Sequence, residues 1–254
     1  SYRWGVASIV LIVFGWLSGC NFRLAGKDWG VVFLLSLLRA VTSFSLIIAY
    51  QNIASGVAST IHFMYPLAVA LAMMFFFREK KSLLVILAVL MSLLGAALLS
   101  LGELEAKSGN TMVGLVAACV SVFSYAGYIV GVRTTRAVQI NSTALTCYVM
   151  GLGTIFYLIG AYCTSGLQLV SDGYTWLIIL GLALPATAIS NITLVQAIKY
   201  AGPTLTSILG AMEPLTAVVI GVFVFKELFT VNSAVGIILI LLAVSIVVFR
   251  RQKS

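Results

Sequence analysis

The chain has 254 residues, of which 61% are hydrophobic and 9% charged, with a mean hydropathy of +1.13 and a net charge of +8. Soluble chains run about 45–50% apolar and about 25% charged, so a soluble enzyme, a nucleic-acid-binding module and a disordered chain are all excluded. An all-α polytopic membrane protein remains.

Charged residues and turn formers divide the chain into nine apolar stretches, at roughly 4–20, 30–50, 55–77, 82–101, 112–133, 142–165, 174–198, 204–225 and 230–249. Each approaches the ~20 residues that a membrane-crossing helix needs. The uncharged run from Ala40 to Phe77 is too long for one helix, and Gln51-Asn52-Ile53-Ala54-Ser55-Gly56 is the polar, glycine-containing place to break it. Gly202-Pro203 separates the seventh and eighth stretches, because proline starts helices and its predecessor resists helix. No ten-residue apolar/polar alternation of the kind that builds a barrel is present.

Assigning alternate loops to two faces gathers 11 basic residues on one: Arg23, Lys27, Arg78, Lys80, Lys81, Arg133, Arg136, Lys199, Arg250, Arg251 and Lys253. The other face holds 3, Arg3, Lys107 and Lys226, beside Glu103, Glu105, Asp172 and Glu227. Basic loops stay inside, so the first face, with the C-terminus, is expected in the cytoplasm of a cytoplasmic (inner) membrane. Trp4, Trp29 and Trp176 lie near stretch ends and read as interfacial anchors. Cys20, Cys119, Cys147 and Cys163 occur singly in apolar surroundings and read as small buried packing residues. Gly127 and Gly131 form a ridge for close helix packing. Asn141-Ser142-Thr143 fits a glycosylation pattern but falls on the cytoplasmic face, so it reads as a chance match.

The chain also repeats itself. At an offset of 148, Ala49, Ser59, Met64, Pro66, Leu67, Phe75, Phe77 and Glu79 meet identical residues, eight of the 31 positions 49–79. The offset lays the sixth stretch on the first, the seventh on the second, the eighth on the third and the ninth on the fourth. A partner for the fifth would precede residue 1. The expectation is two five-helix repeats, a first at 1–101 with four of its helices and a second at 112–254 with five. Nine transmembrane helices of a ten-helix plan would then be present. Five is odd, so the repeats are inverted, a plan common among transporters with a midplane site at the repeat interface.

The residues Ala49-Tyr50-Gln51-Asn52-Ile53-Ala54-Ser55-Gly56-Val57-Ala58-Ser59 resemble the A-x-x-x-I-x-x-G-x-A-S junction of EamA-type members of the drug/metabolite transporter superfamily. Met64-Tyr65-Pro66-Leu67 through Phe77-Arg78-Glu79 resembles that family's fourth helix, and Met212-Glu213-Pro214-Leu215 through Phe225-Lys226-Glu227 its ninth. The resemblance covers essentially the whole chain. It implies a ten-helix secondary carrier with both termini cytoplasmic, most often an exporter of amino acids, metabolites or toxic compounds.

Candidate site residues are the polar ones inside the apolar stretches. Glu213 lies nine residues into 204–225, about 14 Å deep, where a carboxylate faces a partner or a wet cavity. It is a candidate for proton coupling or for binding a substrate amine. Arg39 is the other midspan charge. It reads as an anion ligand, a partner for Glu213 or a fixed countercharge, and not as a proton carrier. His62 and Tyr65 are three apart on one face, which Ser59 extends. The repeat sets Tyr65 over Glu213 and His62 over Gly210, so a cavity on the pseudo-two-fold would see Tyr65 from one half and Glu213 from the other. Tyr125 and Tyr128 share a face of 112–133. Asn191 and Gln196 are amides suited to a cavity or to interhelical hydrogen bonds.

No catalytic triad, phosphate loop or metal-ligand spacing appears, and no enzymatic activity, cofactor or metal is expected. The expected partners are the lipid bilayer, a small organic substrate and, as an option, a second copy of the chain, but no nucleic acid. Two rival functions stand beside the exporter. One is a nucleotide-sugar or phosphorylated-metabolite antiporter, which needs more cavity cations than Arg39 and Lys199 supply. The other is a non-transporting membrane scaffold or regulatory protein.

Overall fold

A computed structural model describes residues 2–77, 83–100, 109–163, 172–210, 212–224 and 231–252. The loop residues Arg78–Lys81, Glu103, Glu105, Lys107, Lys226, Glu227 and Lys253, which entered the orientation and repeat arguments, lie outside that set, as does Phe225.

All regular elements among the described residues are helical. They are α1 (Tyr2–Leu17), α2 (Trp29–Asn52), α3 (Ser55–His62), α4 (Tyr65–Phe76), α5 (Leu83–Ser100), α6 (Thr111–Thr134), α7 (Ser142–Cys163), α8 (Gly173–Ala183), α9 (Ser190–Ala201), α10 (Pro203–Leu209), α11 (Met212–Val224) and α12 (Val231–Gln252). A 3₁₀ turn, Arg136–Gln139, precedes α7, and a π-helical segment, Leu184–Ile189, joins α8 to α9. Among the described residues, five stretches are long and apolar enough to cross a membrane: Trp29–Asn52, Ser55–Phe76, Thr111–Thr134, Ser142–Tyr162 and Gly173–Ala201.

Among the described residues the helices overlap the expected stretches, with one systematic difference. The third, seventh and eighth are interrupted. Proline lacks an N–H and its ring clashes with the carbonyl four residues earlier. Four residues before Pro66 is His62, where α3 ends; four before Pro214 is Gly210, where α10 has ended; four before Pro185 is Gly181, just ahead of the π turn. The fourth proline, Pro203, sits at the start of α10 after Gly202, whose φ of 88° is left-handed. Under the 148-residue offset the α3/α4 and α10/α11 interruptions coincide.

Contacts group the chain into two compact units, one of residues 1–40 and 131–201, the other of 41–130 and 202–254. Each unit draws segments from both halves of the sequence. In the first, Ala7 and Leu11 of α1 pack with Cys147 and Met150 of α7 and with Ala183 and Ala188. In the second, α5 crosses α12 so closely at Gly95 that an added Cβ would lie 2.7 Å from the Gly236 carbonyl. Ala70, Met74, Ala88, Val89, Ile208 and Ala243 form a core there.

Large apolar side chains face outward, among them Phe76 at 81% and Leu83 at 84% exposure. In water such a surface would cost too much; lipid tails are as apolar as the side chains. Hydroxyls inside the helices bond back to their own backbone, as Ser36 does to the Val32 carbonyl and Thr60 to that of Gly56. No side-chain polarity is then left facing hydrocarbon at these positions.

Several side chains depart from expectation. Trp4 is buried, edge-on to Tyr157 and against Gly153, where a Cβ would overlap its ring. It is a packing residue, whereas Trp29 and Trp176 are exposed. Cys147 is buried, Cys20 half-buried and Cys119 exposed, so burial does not describe all the cysteines. Gly131 packs against Leu35 as a ridge glycine would. Asn141 accepts from the Thr143 amide at 2.9 Å and starts α7, which accounts for an asparagine there without glycosylation.

Candidate functional site

The second unit brings most of the candidates together. His62 ends α3 and Tyr65 opens α4, so the two are not on one continuous helix. The interruption nevertheless keeps their rings 5.5 Å apart. Tyr125 of α6 stacks on the imidazole at 5.4 Å and meets Tyr65 edge-on at 4.6 Å. Tyr128 lies parallel to Tyr125 at 6.3 Å. Tyr65, Tyr125 and Tyr128 are buried, while His62 is half-buried. His62 is therefore the least buried member of this aromatic group. Ser59, also on α3, shares a hydrogen bond of 3.2 Å with the Tyr50 hydroxyl.

His62 Nδ1 lies 3.0 Å from the hydroxyl of Ser121. Ser121 is fully buried, and it was missed by sequence reasoning. Its signal was its spacing: Ser121, Tyr125 and Tyr128 stand at i, i+4 and i+7 on α6, one helical face. One turn on, the Ser124 and Thr42 hydroxyls share a bond of 2.9 Å.

The interruption between α10 and α11 meets the same cluster. A Cβ on Gly210 would overlap the Tyr65 hydroxyl, so only glycine admits this contact. The Gly210 carbonyl accepts from the Glu213 amide at 3.0 Å. Glu213 itself is exposed and occupies the first turn of α11, where a helix dipole favours a negative charge. Its repeat mate Tyr65 occupies the first turn of α4.

In the first unit, Arg39 donates to the Asn191 side-chain oxygen at 3.1 Å, and the Asn191 amide donates to the Thr187 carbonyl at 2.7 Å. The Thr187 hydroxyl bonds the Leu182 carbonyl, five residues back, inside the π segment. Arg39 is thus tied to the place where the seventh stretch is rewound. Asn191 acts as an interhelical hydrogen-bonding residue, and Gln196 is exposed. Lys199 donates to the Ile140 carbonyl, and Arg133 to the Lys199 carbonyl.

The arrangement offers hydrogen-bonding groups, aromatic faces and a carboxylate. The EamA-like transporter family matches residues 1–101 and 112–249. A relative from Archaeoglobus fulgidus, described as an uncharacterized transporter, is 28% identical over 238 residues, 92% of this chain and 83% of its own length. A crystal structure 18% identical in sequence has a TM-score of 0.83, over 100% of this chain and 88% of the other, which speaks for the fold alone. A multi-pass, all-helical membrane protein whose two matched segments fill nearly all of its length, this chain belongs to the EamA-like transporter family.

Proposed function

We propose that this membrane transporter is a secondary active carrier that exports amino acids or other small organic metabolites and drugs across the cytoplasmic membrane. It works by alternating access of two inverted repeats, 1–101 and 112–254, and is driven by a proton gradient or by exchange. The basic loops and the C-terminus lie in the cytoplasm. Glu213 and Tyr65 belong to the substrate or coupling site, with His62 and Tyr125 beside them.

The observation that carries the reading is the matched pair of proline interruptions. Each opens its second half-helix on a functional side chain, Tyr65 before Pro66 and Glu213 before Pro214, with the Tyr65 hydroxyl against Gly210. Discontinuous helices and an ionisable residue in an apolar stretch are the marks of a carrier's binding site. A phosphorylated substrate is less well served, because the Arg39 guanidinium bonds Asn191 and the Lys199 ammonium bonds a backbone carbonyl.

The test begins with a thermal-shift screen of amino acids and organic amines on the purified chain. Its best ligand is then carried into proteoliposomes with an imposed pH gradient. Uptake should follow the gradient, and Glu213→Gln should abolish that dependence. Gradient-dependent uptake that survives the substitution would overturn coupling through Glu213.

A further inference from the structure

Three cations gather at one end of the first unit. Arg133 stands in the last turn of α6, Lys199 in the last turn of α9, and Arg136 opens the 3₁₀ turn that precedes α7. Backbone contacts tie them together. Arg133 donates to the Lys199 carbonyl, and the Lys199 ammonium donates to the carbonyl of Ile140, just after that turn. The turn is held to α6 by the Thr135 hydroxyl, which donates to the Gly131 carbonyl at 2.6 Å and accepts from the Ala137 amide at 3.3 Å. Two helix ends and a turn thus present a fixed set of positive charges.

These bonds leave donors to spare. A guanidinium carries five N–H groups and an ammonium three, and Arg133 and Lys199 each spend one on the backbone. Arg133 and Arg136 are exposed and Lys199 is half-buried. Among the described residues, no carboxylate pairs with any of the three. Like charges so gathered repel, and an anion seated among them relieves the repulsion.

Depth in the membrane selects the anion. α6 has 24 residues and so rises about 36 Å, more than the ~30 Å of hydrocarbon in a bilayer. Its end, with Arg133, therefore reaches the headgroup layer. Lys199 lies at the same level, because Arg133 bonds its carbonyl. Beside it Tyr200, 82% exposed, is the kind of side chain that belongs at this boundary. Lipid phosphates are concentrated there.

We propose that Arg133, Arg136 and Lys199 form a binding site for the headgroup phosphate of an anionic phospholipid. The planar guanidinium groups offer paired N–H donors to phosphate oxygens, and Lys199 adds a point charge. A headgroup held by all three fastens the ends of α6 and α9 to the turn before α7, so lipid binding stabilises this unit.

The full chain in a neutral detergent is titrated with phosphatidylglycerol, phosphatidylcholine or inorganic phosphate. Thermal unfolding is followed, and lipid affinity is read by native mass spectrometry. Phosphatidylglycerol should raise the unfolding midpoint; phosphatidylcholine, whose choline cancels the phosphate charge, and inorganic phosphate should not. Arg136→Gln should weaken phosphatidylglycerol binding about fivefold, the worth of one cation at an anionic surface, and leave the lipid-free midpoint unchanged. Arg133→Gln should weaken binding as much and also lower the lipid-free midpoint, since it loses the bond to Lys199. Arg3→Gln, the same change of charge at the exposed start of α1, should leave the affinity as it is. Equal weakening by Arg3→Gln and Arg136→Gln would reduce the effect to net charge and overturn the site. Equal stabilisation by phosphatidylcholine would overturn it too, and equal stabilisation by inorganic phosphate would overturn the lipid as the source of the anion. None of these measurements needs transport, so they stand apart from the Glu213→Gln uptake experiment.

Discussion

The Tyr65 hydroxyl rests on Gly210, in space that any side chain at position 210 would fill. The contact joins the two interrupted helices of the second unit at equivalent points of the repeat. Gly210 stands where the first repeat has His62, and Tyr65 stands where the second has Glu213. Gly210→Ala should therefore destabilise the protein by about 1–3 kcal/mol, the usual cost of overpacking. Tyr65→Phe, which removes only the hydroxyl, should restore part of that loss in the double variant. Thermal unfolding of the four proteins in detergent measures the coupling; strictly additive losses would mean that the two side chains do not compete for that space.

Pro66 and Pro214 impose matched breaks. Replacing either by alanine returns an amide that can bond the carbonyl of residue 62 or 210, so Pro66→Ala and Pro214→Ala should each lengthen a helix and raise the midpoint of thermal unfolding. Each should also slow uptake in proteoliposomes. A variant that gains stability and transports as fast as the wild type would show that its break is not needed for function.

Asn191 links Arg39 to the π segment. Removing an acceptor from a charged donor in a partly buried site costs about 1.5–3 kcal/mol. Asn191→Ala should be less stable by about that much than Asn191→Asp, because both lose the bond to the Thr187 carbonyl and only aspartate keeps an oxygen for Arg39. If the two variants unfold at the same temperature, the bond to Arg39 contributes nothing.

Asp172 opens α8, and its carboxylate accepts from the Thr175 amide at 3.0 Å and the Tyr174 amide at 3.3 Å. These bonds, with that of the Thr175 hydroxyl, hold its carboxyl below the ordinary carboxylate range. A depressed carboxyl stabilises the fold above its unfolded value, about 3.9, and that contribution disappears as pH falls through the lower folded value. Amide exchange at the start of α8 should thus quicken on acidification below about pH 4 in the wild type. In Asp172→Asn the same amides should show a weaker acid dependence; an unchanged profile would remove Asp172 as its source.

Composition alone determined that this is a helical membrane protein, because so few charges leave no way to cover the chain with water-facing groups. Apolar run lengths placed the stretches, and the Gly202-Pro203 and Gln51–Gly56 boundaries came from local chemistry that needs no partner. Even the interruptions were implicit in Pro66, Pro185 and Pro214, since the clash with the carbonyl four residues back is a local effect. Whether proline bends, breaks or rewinds a helix is not local. Pro66 and Pro214 give breaks, while Pro185 gives a π segment held by Thr187 and Asn191. The tertiary structure decided the companions of each polar group. Arg39 bonds Asn191, 152 residues away, and His62 bonds Ser121, 59 away. It also moved Trp4 from the expected interface into the packing. Such pairings depend on which helix faces meet, and in an almost uniformly apolar chain periodicity scarcely distinguishes one face from another.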